Sequence, residues 1–384
     1  MKALGIVGIA AFFAFASLPG WWLLPFLLLF GAFILFLLPQ KLPRELLHEP
    51  RVSVIIPMRN EEANARACLD SLSKLRYTNM EALIVDDRST DATPEILRQW
   101  LAGYAGEKEF KLFTTPSAPP EGWVGKTFAI DSILPHATGK LILVADADID
   151  HAPDSLLRSV SALEEKRVDL LSRTPHIRIT HAGQMVLGLV FFLLSFGSWL
   201  CQRLGARQAF ATGMYALFSK EAYLLTGGWK VAREFPETPA LARLFAARGR
   251  TYSTMASAGQ EMATPMYGSL KEAAVGMIRN TNYQTMPPLP LMVVSFVVAY
   301  EVYSASLLAL EGAQQLGGAL GLGLVSLAFC GYLLHSKNPP ATAVLGGIMA
   351  FPLTLFAAAL ATLSALRHAL GFSVSWRGRK MPFQ

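Results

Sequence analysis

Three acids, Asp146, Asp148 and Asp150, close the stretch LILVADADID (141–150) at alternate positions. The apolar run from Leu141 to Val144 leads straight into them, so they stand at the end of a strand. Residues two apart in an extended chain share a face. Three carboxylates on one side repel one another unless water or a cation compensates. A second acidic pair, Asp86-Asp87, ends another apolar run, ALIVDD (82–87). Alone, Asp146-Ala147-Asp148 is a weak signal, because a solvated loop edge is the commoner explanation. Its place at the end of a strand, beside a second strand that also ends in acids, turns the reading toward a cation. Hard carboxylate oxygens suit Mg²⁺ or Mn²⁺, which keep waters and take further ligands from a substrate diphosphate. Such an ion offsets charge that develops on a departing nucleotide.

A sheet whose strands end together would position these acids. VSVII (52–56), ALIVDD (82–87) and LILVAD (141–146) are short β-branched runs. NARACLDSLSKL (64–75) carries Ala65, Cys68, Leu69 and Leu72 at helical spacing, and TPEILRQWLAGY (93–104) is a second helical stretch. Strands alternating with helices of this length predict a parallel α/β sheet. Ligands of such sheets gather at the carboxyl ends of the strands. The polar residues Pro57 to Glu61, Asp86 to Asp91 and Asp146 to Asp150 all fall there. His151 reads as a loop residue and Asp150 as lying outside any metal shell.

Composition sets the surroundings. Of 384 residues, 52% are hydrophobic and 16% charged, against about a quarter charged in an ordinary soluble domain. The excess is concentrated in 3–38, 184–201, 287–310, 316–334 and 341–366. This pattern predicts a membrane protein with one water-soluble domain. Three scattered cysteines, Cys68, Cys201 and Cys330, form neither a disulfide framework nor a zinc pattern. A net charge of +6 without a Lys/Arg run interleaved with aromatics suits an anionic membrane face and not a nucleic acid.

Residues 3–38 exceed one upright span, and Ser17-Leu18-Pro19-Gly20 breaks them, so a hairpin and one long tilted helix are both open. No cleavage site follows, which predicts an anchor and not a removable signal. Lys41, Arg44 and Arg51 put the soluble domain on the cytoplasmic side by the positive-inside rule. Three C-terminal spans would leave Arg377, Arg379 and Lys380 outside, against that rule. A break at Pro352, or an interfacial Pro287–Pro290 segment, would restore parity. If 184–201 crossed the membrane once, the acids before it and the segment after it would face opposite sides. It therefore reads as an interfacial segment, with a buried core helix as the alternative. Glu301, inside an apolar run, is an ionisable residue facing a partner or a cavity.

VSVIIPMRNEE (52–62), LIVDDRSTD (83–91) and VADAD (144–148) resemble the signature segments of family 2 glycosyltransferases, which have the GT-A fold. EGWVGKTFA (121–129), the apolar insert, FATGMYALFSKEAYLLTGGW (210–229), MYGSLKEAAVGMIRN (266–280) and SWRGR (375–379) resemble the membrane-bound branch. That branch includes the hopene-associated and carotenoid-associated glycosyltransferases. The resemblance implies that Pro57, Arg59 and Asn60 lie beside the nucleotide, that Asp87 faces the base or ribose, and that Asp86 is close by. It implies Lys126 near the donor diphosphate, with a surface loop lysine as the plain alternative. Asp146 and Asp148 match the metal-binding DxD, and Asp146 also borders the donor. Gly213, Gly227, Gly228 and Trp229 match the acceptor side, although Trp229 is equally placed to be a core packing residue.

One departure stands out. Relatives carry an ED dipeptide after the GG pair, and its Asp is taken as the general base that accepts the acceptor's hydroxyl proton. Here REFPETPALARLF (233–245) puts Glu237 at the Glu and Thr238 at the Asp. A threonine hydroxyl is no base near neutral pH. Thr238 before Pro239 suits a helix N-cap with Pro at the first helical position. Glu237 acts as base after a one-residue shift, or Glu234 or another acid serves instead, or the protein is inactive or binds without turnover. The QxxRW motif of processive synthases is absent, and GMIRN (276–280) stands in its region, which argues against polymer synthesis.

The expected architecture is an α/β GT-A catalytic domain, nucleotide-diphospho-sugar transferase in type and Rossmann-like, with transmembrane helices at both ends. Its parts are a membrane anchor over 1–40, the GT-A domain over 48–283, a transmembrane region over 284–368 and a basic tail over 369–384. The expected function is a multi-pass, inner-membrane, inverting transferase with its catalytic domain in the cytoplasm. It moves one sugar from a UDP- or GDP-linked donor to a lipid acceptor with Mg²⁺ or Mn²⁺. The alternatives are a catalytically silent relative and, less favoured, a polysaccharide synthase.

Overall fold

The computed structural model describes residues 23–37, 49–204, 211–231, 236–257, 261–280, 288–309, 313–370, 375–376 and 379–380. The Ser17–Gly20 break, Lys41, Arg44, Glu234 and most of the basic tail lie outside them.

In chain order the first elements are α1 (Leu23–Leu37), β1 (Val52–Met58), α2 (Ala65–Ser73), β2 (Met80–Asp86) and α3 (Thr93–Gly103). Next are β3 (Glu109–Thr114), α4 (Gly125–Ile133), β4 (Leu141–Ala145), β5 (Asp150–His151), α5 (Ser155–Lys166), β6 (Leu170–Thr174) and β7 (His176–Ile177). The apolar insert is α6 (Ala182–Arg203). After it come β8 (Tyr215–Ser219), α7 (Lys220–Thr226), α8 (Gly228–Val231), α9 (Glu237–Ala247), β9 (Tyr252–Ala256) and β10 (Met262–Thr264). Four helices follow: α10 (Leu270–Asn280), α11 (Pro288–Leu307), α12 (Ala313–His335) and α13 (Pro340–Ala369).

Seven strands form one sheet in the order β3-β2-β1-β4-β8-β6-β9. Strands β1, β2, β3 and β4 pair in parallel, as the alternation predicts. The sheet is not wholly parallel, however: β8 runs antiparallel to both β4 and β6. Local sequence does not signal this direction, because β6 and α6 intervene between β4 and β8. Helices cover both faces, so β1 is apolar on both, with Val54 and Ile56 in one core and Ile55 in the other.

Strands β5, β10 and β7 form a second, small sheet. His151 is thus a strand residue, 3% exposed, and not a loop histidine. Burial pushes it down to about 4, so it is neutral at physiological pH. Buried Arg173 on β6 bonds Glu261, which also takes Arg158 at 2.8 Å, and so locks α5 and β6 to the start of β10.

A third core is helical, built from α1, α6 and α10 to α13 around Phe33, Phe192, Phe196, Phe329 and Leu333. Helix α6 is its hub, with 78% of its most apolar window buried inside the chain. This is the packing of a helix at the centre of the chain's own helical layer. Both its ends are tied to the sheet domain. At the start, His181 Nε2 bonds the carbonyl of Tyr267 at 2.8 Å and Gln184 Nε2 donates to that of Pro265 at 2.6 Å. At the end, Gln202 Oε1 accepts from Ser253 Oγ at 2.6 Å. Helix α13 continues through Pro352 without a break, because one lost backbone bond is tolerated in a packed helix.

Candidate functional site

The carboxyl ends of β1, β2 and β4 meet at one edge, because β2 and β4 pair in parallel with opposite sides of β1. The loops after β1 and β2 are laced together there. Arg59 Nη1 donates to the carbonyl of Asp87 at 2.6 Å, and Asn60 Oδ1 accepts from the Thr90 amide at 2.8 Å. Asn60 and Arg88 take φ of 54° and 58°, a left-handed conformation that non-glycine residues adopt sparingly. Asp86 Oδ1 accepts from the Ser89 amide at 3.0 Å, and Asp87 Oδ1 from Thr115 Oγ1 at 3.2 Å. Both acids are buried. Pro57, half-buried, is the penultimate residue of β1 and pairs in register with Val85.

Beyond β4 the chain turns instead of staying extended. Asp146 donates its amide to Met214, Asp148 Oδ2 accepts from Thr264 Oγ1 at 3.0 Å, and Asp150 pairs with Arg178 at 2.9 Å. The three acids therefore do not share one face. Asp150 is drawn away by its own arginine, while Asp146 and Asp148 stay at the edge.

Lys126, in the first turn of α4, joins what the sequence keeps far apart. Its Nζ lies 2.6 Å from Asp146 Oδ1, 2.8 Å from the carbonyl of Gly213 and 2.8 Å from Glu237 Oε1. The antiparallel run of β8 makes this possible. It sets Tyr215 against Ala145, so the residues entering β8 abut those leaving β4. Glu237 opens α9, where the helix dipole favours a carboxylate, and its side chain is 7% exposed.

Helix α9 begins one residue before Thr238, with Pro236 as its N-cap. Thr238 is thus a buried residue of the first turn and not the cap. Pro239 fits there because the first backbone amides of a helix have no partner within it. Trp229 is fully buried, edge-on to Phe218 and Tyr223, and donates from Nε1 to the carbonyl of Glu237 at 3.0 Å. Of the two roles open to it, this is core packing. Gly228, at φ +53°, lets the Tyr223 ring approach to where a Cβ would stand. A Cβ on Gly213 would lie 3.1 Å from Glu237 Oε1.

The electrostatics follow from crowding. Burial pushes Asp148 up to about 7, helped by the charges of Asp146 and Glu61. Burial also raises Asp146, although Lys126 pulls the other way. Burial alone would lower Lys126, but Asp146 and Glu237 outweigh it and raise it. Sequence reasoning put Glu61 at this edge without giving it a role, and it missed Thr264. Among the described residues no three His, Cys, Asp or Glu side chains already form a cation cage. The half-buried carboxylates of Asp146 and Asp148, with Glu61 adding negative charge, are nevertheless the hard donor set that Mg²⁺ or Mn²⁺ takes.

Comparison with known proteins agrees with this fold. Residues 53–224 match the family model Glycosyl transferase family 2. The chain is 36% identical over 121 residues to a beta-monoglucosyldiacylglycerol synthase of Nostoc sp., a match covering 31% of this chain and 25% of that one. It is 27% identical over 188 residues to a 4,4'-diaponeurosporenoate glycosyltransferase of Staphylococcus haemolyticus, 47% of each chain. These matches span between a quarter and about half of the curated relatives. A solved mannosyltransferase from Pyrobaculum calidifontis, in complex with GDP-Man and Mn²⁺, superposes over 96% of this chain and 98% of its own. The TM-score is 0.53 at 18% identity. The chain carries a glycosyl transferase family 2 domain with a GT-A-like fold.

Proposed function

We propose that the chain is a membrane-integral inverting glycosyltransferase that moves one sugar from a UDP- or GDP-linked donor to a lipid-type acceptor. The observation that carries this reading is the meeting of Asp146 and Glu237 on Lys126 at the carboxyl edge of the sheet. A carboxylate able to take a proton stands beside carboxylates able to hold a donor's metal. Lipid acceptors are supported by the names of the two curated relatives. A membrane setting is supported by α12 and α13, whose most apolar windows are only 44% and 39% buried. Leu327, Ile348 and Leu363 are among the large apolar side chains they expose. We place the GT-A domain over 48–283, the anchor over 1–40 and the transmembrane region over 284–368, with the domain in the cytoplasm of an inner-membrane protein. Helix α6, held at both ends by that domain, would lie along the membrane and not across it.

Asp146 and Asp148 would hold Mg²⁺ or Mn²⁺, which supplies charge neutralisation on the donor diphosphate. Pro57, Arg59, Asn60, Asp86 and Asp87 bind the nucleoside, and Lys126 turns from Glu237 to the diphosphate as donor enters. Glu237 Oε1, released from its ammonium, then takes the acceptor's hydroxyl proton as the sugar transfers. Gly213, Gly228 and Trp229 shape the acceptor side from behind, by fixing Glu237. The second reading, a relative that binds donor without turnover, is favoured by one observation. Thr238 stands buried where the base is expected, while Glu237 is neutralised by Lys126.

The test is nucleoside diphosphate release by the detergent-purified chain across UDP- and GDP-sugars with Mn²⁺ or Mg²⁺ and extracted membrane lipids. Lipid-dependent release, lost in Asp148→Ala and Glu237→Gln, is expected. Donor binding without release, with Thr238→Asp gaining turnover, would establish the silent relative instead.

A further inference from the structure

A cavity of about 310 Å³ opens between α1, α6 and the carboxyl ends of β6 and β9. Its walls include Phe36 and Trp199, whose rings meet nearly edge-on at 5.7 Å. Ser198 and Thr254 give it hydroxyls, and Lys166 and Arg203 give it two positive charges. Arg203 sits over the Trp199 ring at 5.6 Å. Among the described residues no acid lines the cavity, and neither cation is ion-paired with any of them. Desolvation lowers the Lys166 pKa, and the charge of Arg203 adds to this against the pull of Glu165. Two like charges held at one opening with no acid between them ask for an anion.

The position selects the kind of anion. Helices α1 and α6 belong to the apolar layer, and both end at this cavity, where apolar sequence gives way to the polar domain. Strands β6 and β9 stand two and three places from β4 in the sheet. At roughly 4.8 Å per place, the cavity lies about 10–15 Å from the strand that carries the acids, outside the donor site. Its volume is near the lower end of the range for ligand sites, about 300–1,000 Å³. That is room for a head group and not for a whole lipid.

We propose that this cavity seats the phosphate head group of an anionic membrane lipid. Lys166 and Arg203 neutralise the phosphate, and Thr254 Oγ1, which accepts from Gln202 Nε2 at 3.1 Å, keeps its own proton to donate. The first methylenes of the lipid run along Phe36 and Trp199. The proposal rests on the membrane reading above and concerns a site separate from the reaction centre.

Native mass spectrometry of the detergent-purified full chain tests it, with phosphatidylglycerol or phosphatidylcholine supplied in mixed micelles. The wild type should retain one phosphatidylglycerol. Lys166→Ala with Arg203→Ala should lower that retention at least tenfold, and the control pair Lys74→Ala with Arg98→Ala should leave it unchanged. If the double variant does not fold, the single Lys166→Gln must still weaken retention severalfold. Equal retention of phosphatidylcholine, or retention indifferent to these substitutions, overturns the proposal. Displacement by inorganic phosphate alone would assign the cavity to a free anion and overturn it too. A chain that leaves the membrane fraction without detergent refutes the membrane reading, a result separate from loss of lipid selectivity.

Discussion

Glu237 Oε1 lies 2.8 Å from Lys126 Nζ, and the same ammonium holds Asp146 Oδ1 at 2.6 Å. One cation therefore ties the candidate base to the candidate metal ligand. While that tie stands, Glu237 Oε1 is engaged by the Lys126 ammonium and is not open to a hydroxyl. Donor diphosphate, which offers Lys126 a competing anion, is what would release it.

Substitutions at the two ends should therefore fail differently. Glu237→Gln should lower turnover by about 10²–10⁴-fold and leave donor affinity nearly unchanged. Lys126→Met should weaken donor binding by roughly tenfold to a hundredfold, the worth of one charge-assisted bond. Donor binding by calorimetry beside single-turnover transfer separates the two. Equal losses of affinity in both variants would sink the arrangement.

Cation binding should depend on pH. Asp148 is pushed up to about 7 from an ordinary 3.8, so protons compete with the metal below neutrality. Apparent Mn²⁺ affinity should fall by about tenfold per pH unit below 7 and level off above it. The folded chain without metal holds a proton at Asp148 that the unfolded chain releases. This group's contribution to stability is therefore lost as pH rises from about 4 through 7. Thermal melts with and without Mn²⁺ at pH 6 and 8 should diverge most at pH 8.

Glu81 should control acid stability. Burial would raise its pKa, but Ser53, the backbone and side chain of Thr138, and Lys111 hold it at about 2, against an ordinary 4.5. Its stabilisation is complete above about 4.5 and is lost as pH falls toward 2. The loss is on the order of 3 kcal/mol. Glu81→Ala should remove a similar amount at pH 7 and flatten the acid limb, as denaturant midpoints against pH would show.

Gly228→Ala should be costly although no ligand is near. The residue sits at φ +53°, and a Cβ there would meet the Tyr223 ring at 2.0 Å. Destabilisation of more than about 1 kcal/mol is expected, with slower transfer because Trp229, the next residue, holds the Glu237 carbonyl. Paired Tyr223→Ala should recover part of the loss.

How much of this could be read from sequence depended on how local each signal was. β1, β2 and β4 appear within two residues of the apolar runs that announce them, because strands covered on both faces read as short, continuous β-branched runs. The helix over 93–104 is α3 at Thr93–Gly103. Strand β3, EFKLFT, was missed because it is an edge strand whose Glu and Lys alternate with apolar residues. Strands β5 and β7 are two residues long, too short for any period to register. Residue types and the family resemblance picked out Asp146, Asp148, Lys126 and Glu237. The contact of Lys126 with Glu237 could not be foreseen, since it depends on the direction of β8. The start of α9 was misjudged because Thr-Pro is a strong cap signal. Here the buried contacts of Thr238 and the dipole position of Glu237 prevail over it.

The insertion of α6 between β6 and β8, which are neighbours in the sheet, limits how the protein can be handled. No cut at either end of the chain separates the sheet from its greasy layer, because that layer's central helix is threaded through the middle of the fold. A truncated chain ending before α11 would still carry α6, now stripped of Phe329, Tyr332 and Leu333, which cover it. Such a fragment would aggregate or claim detergent as a substitute. The same threading should give the sheet and the helical layer one shared melting event, so that a ligand steadying one side steadies the other.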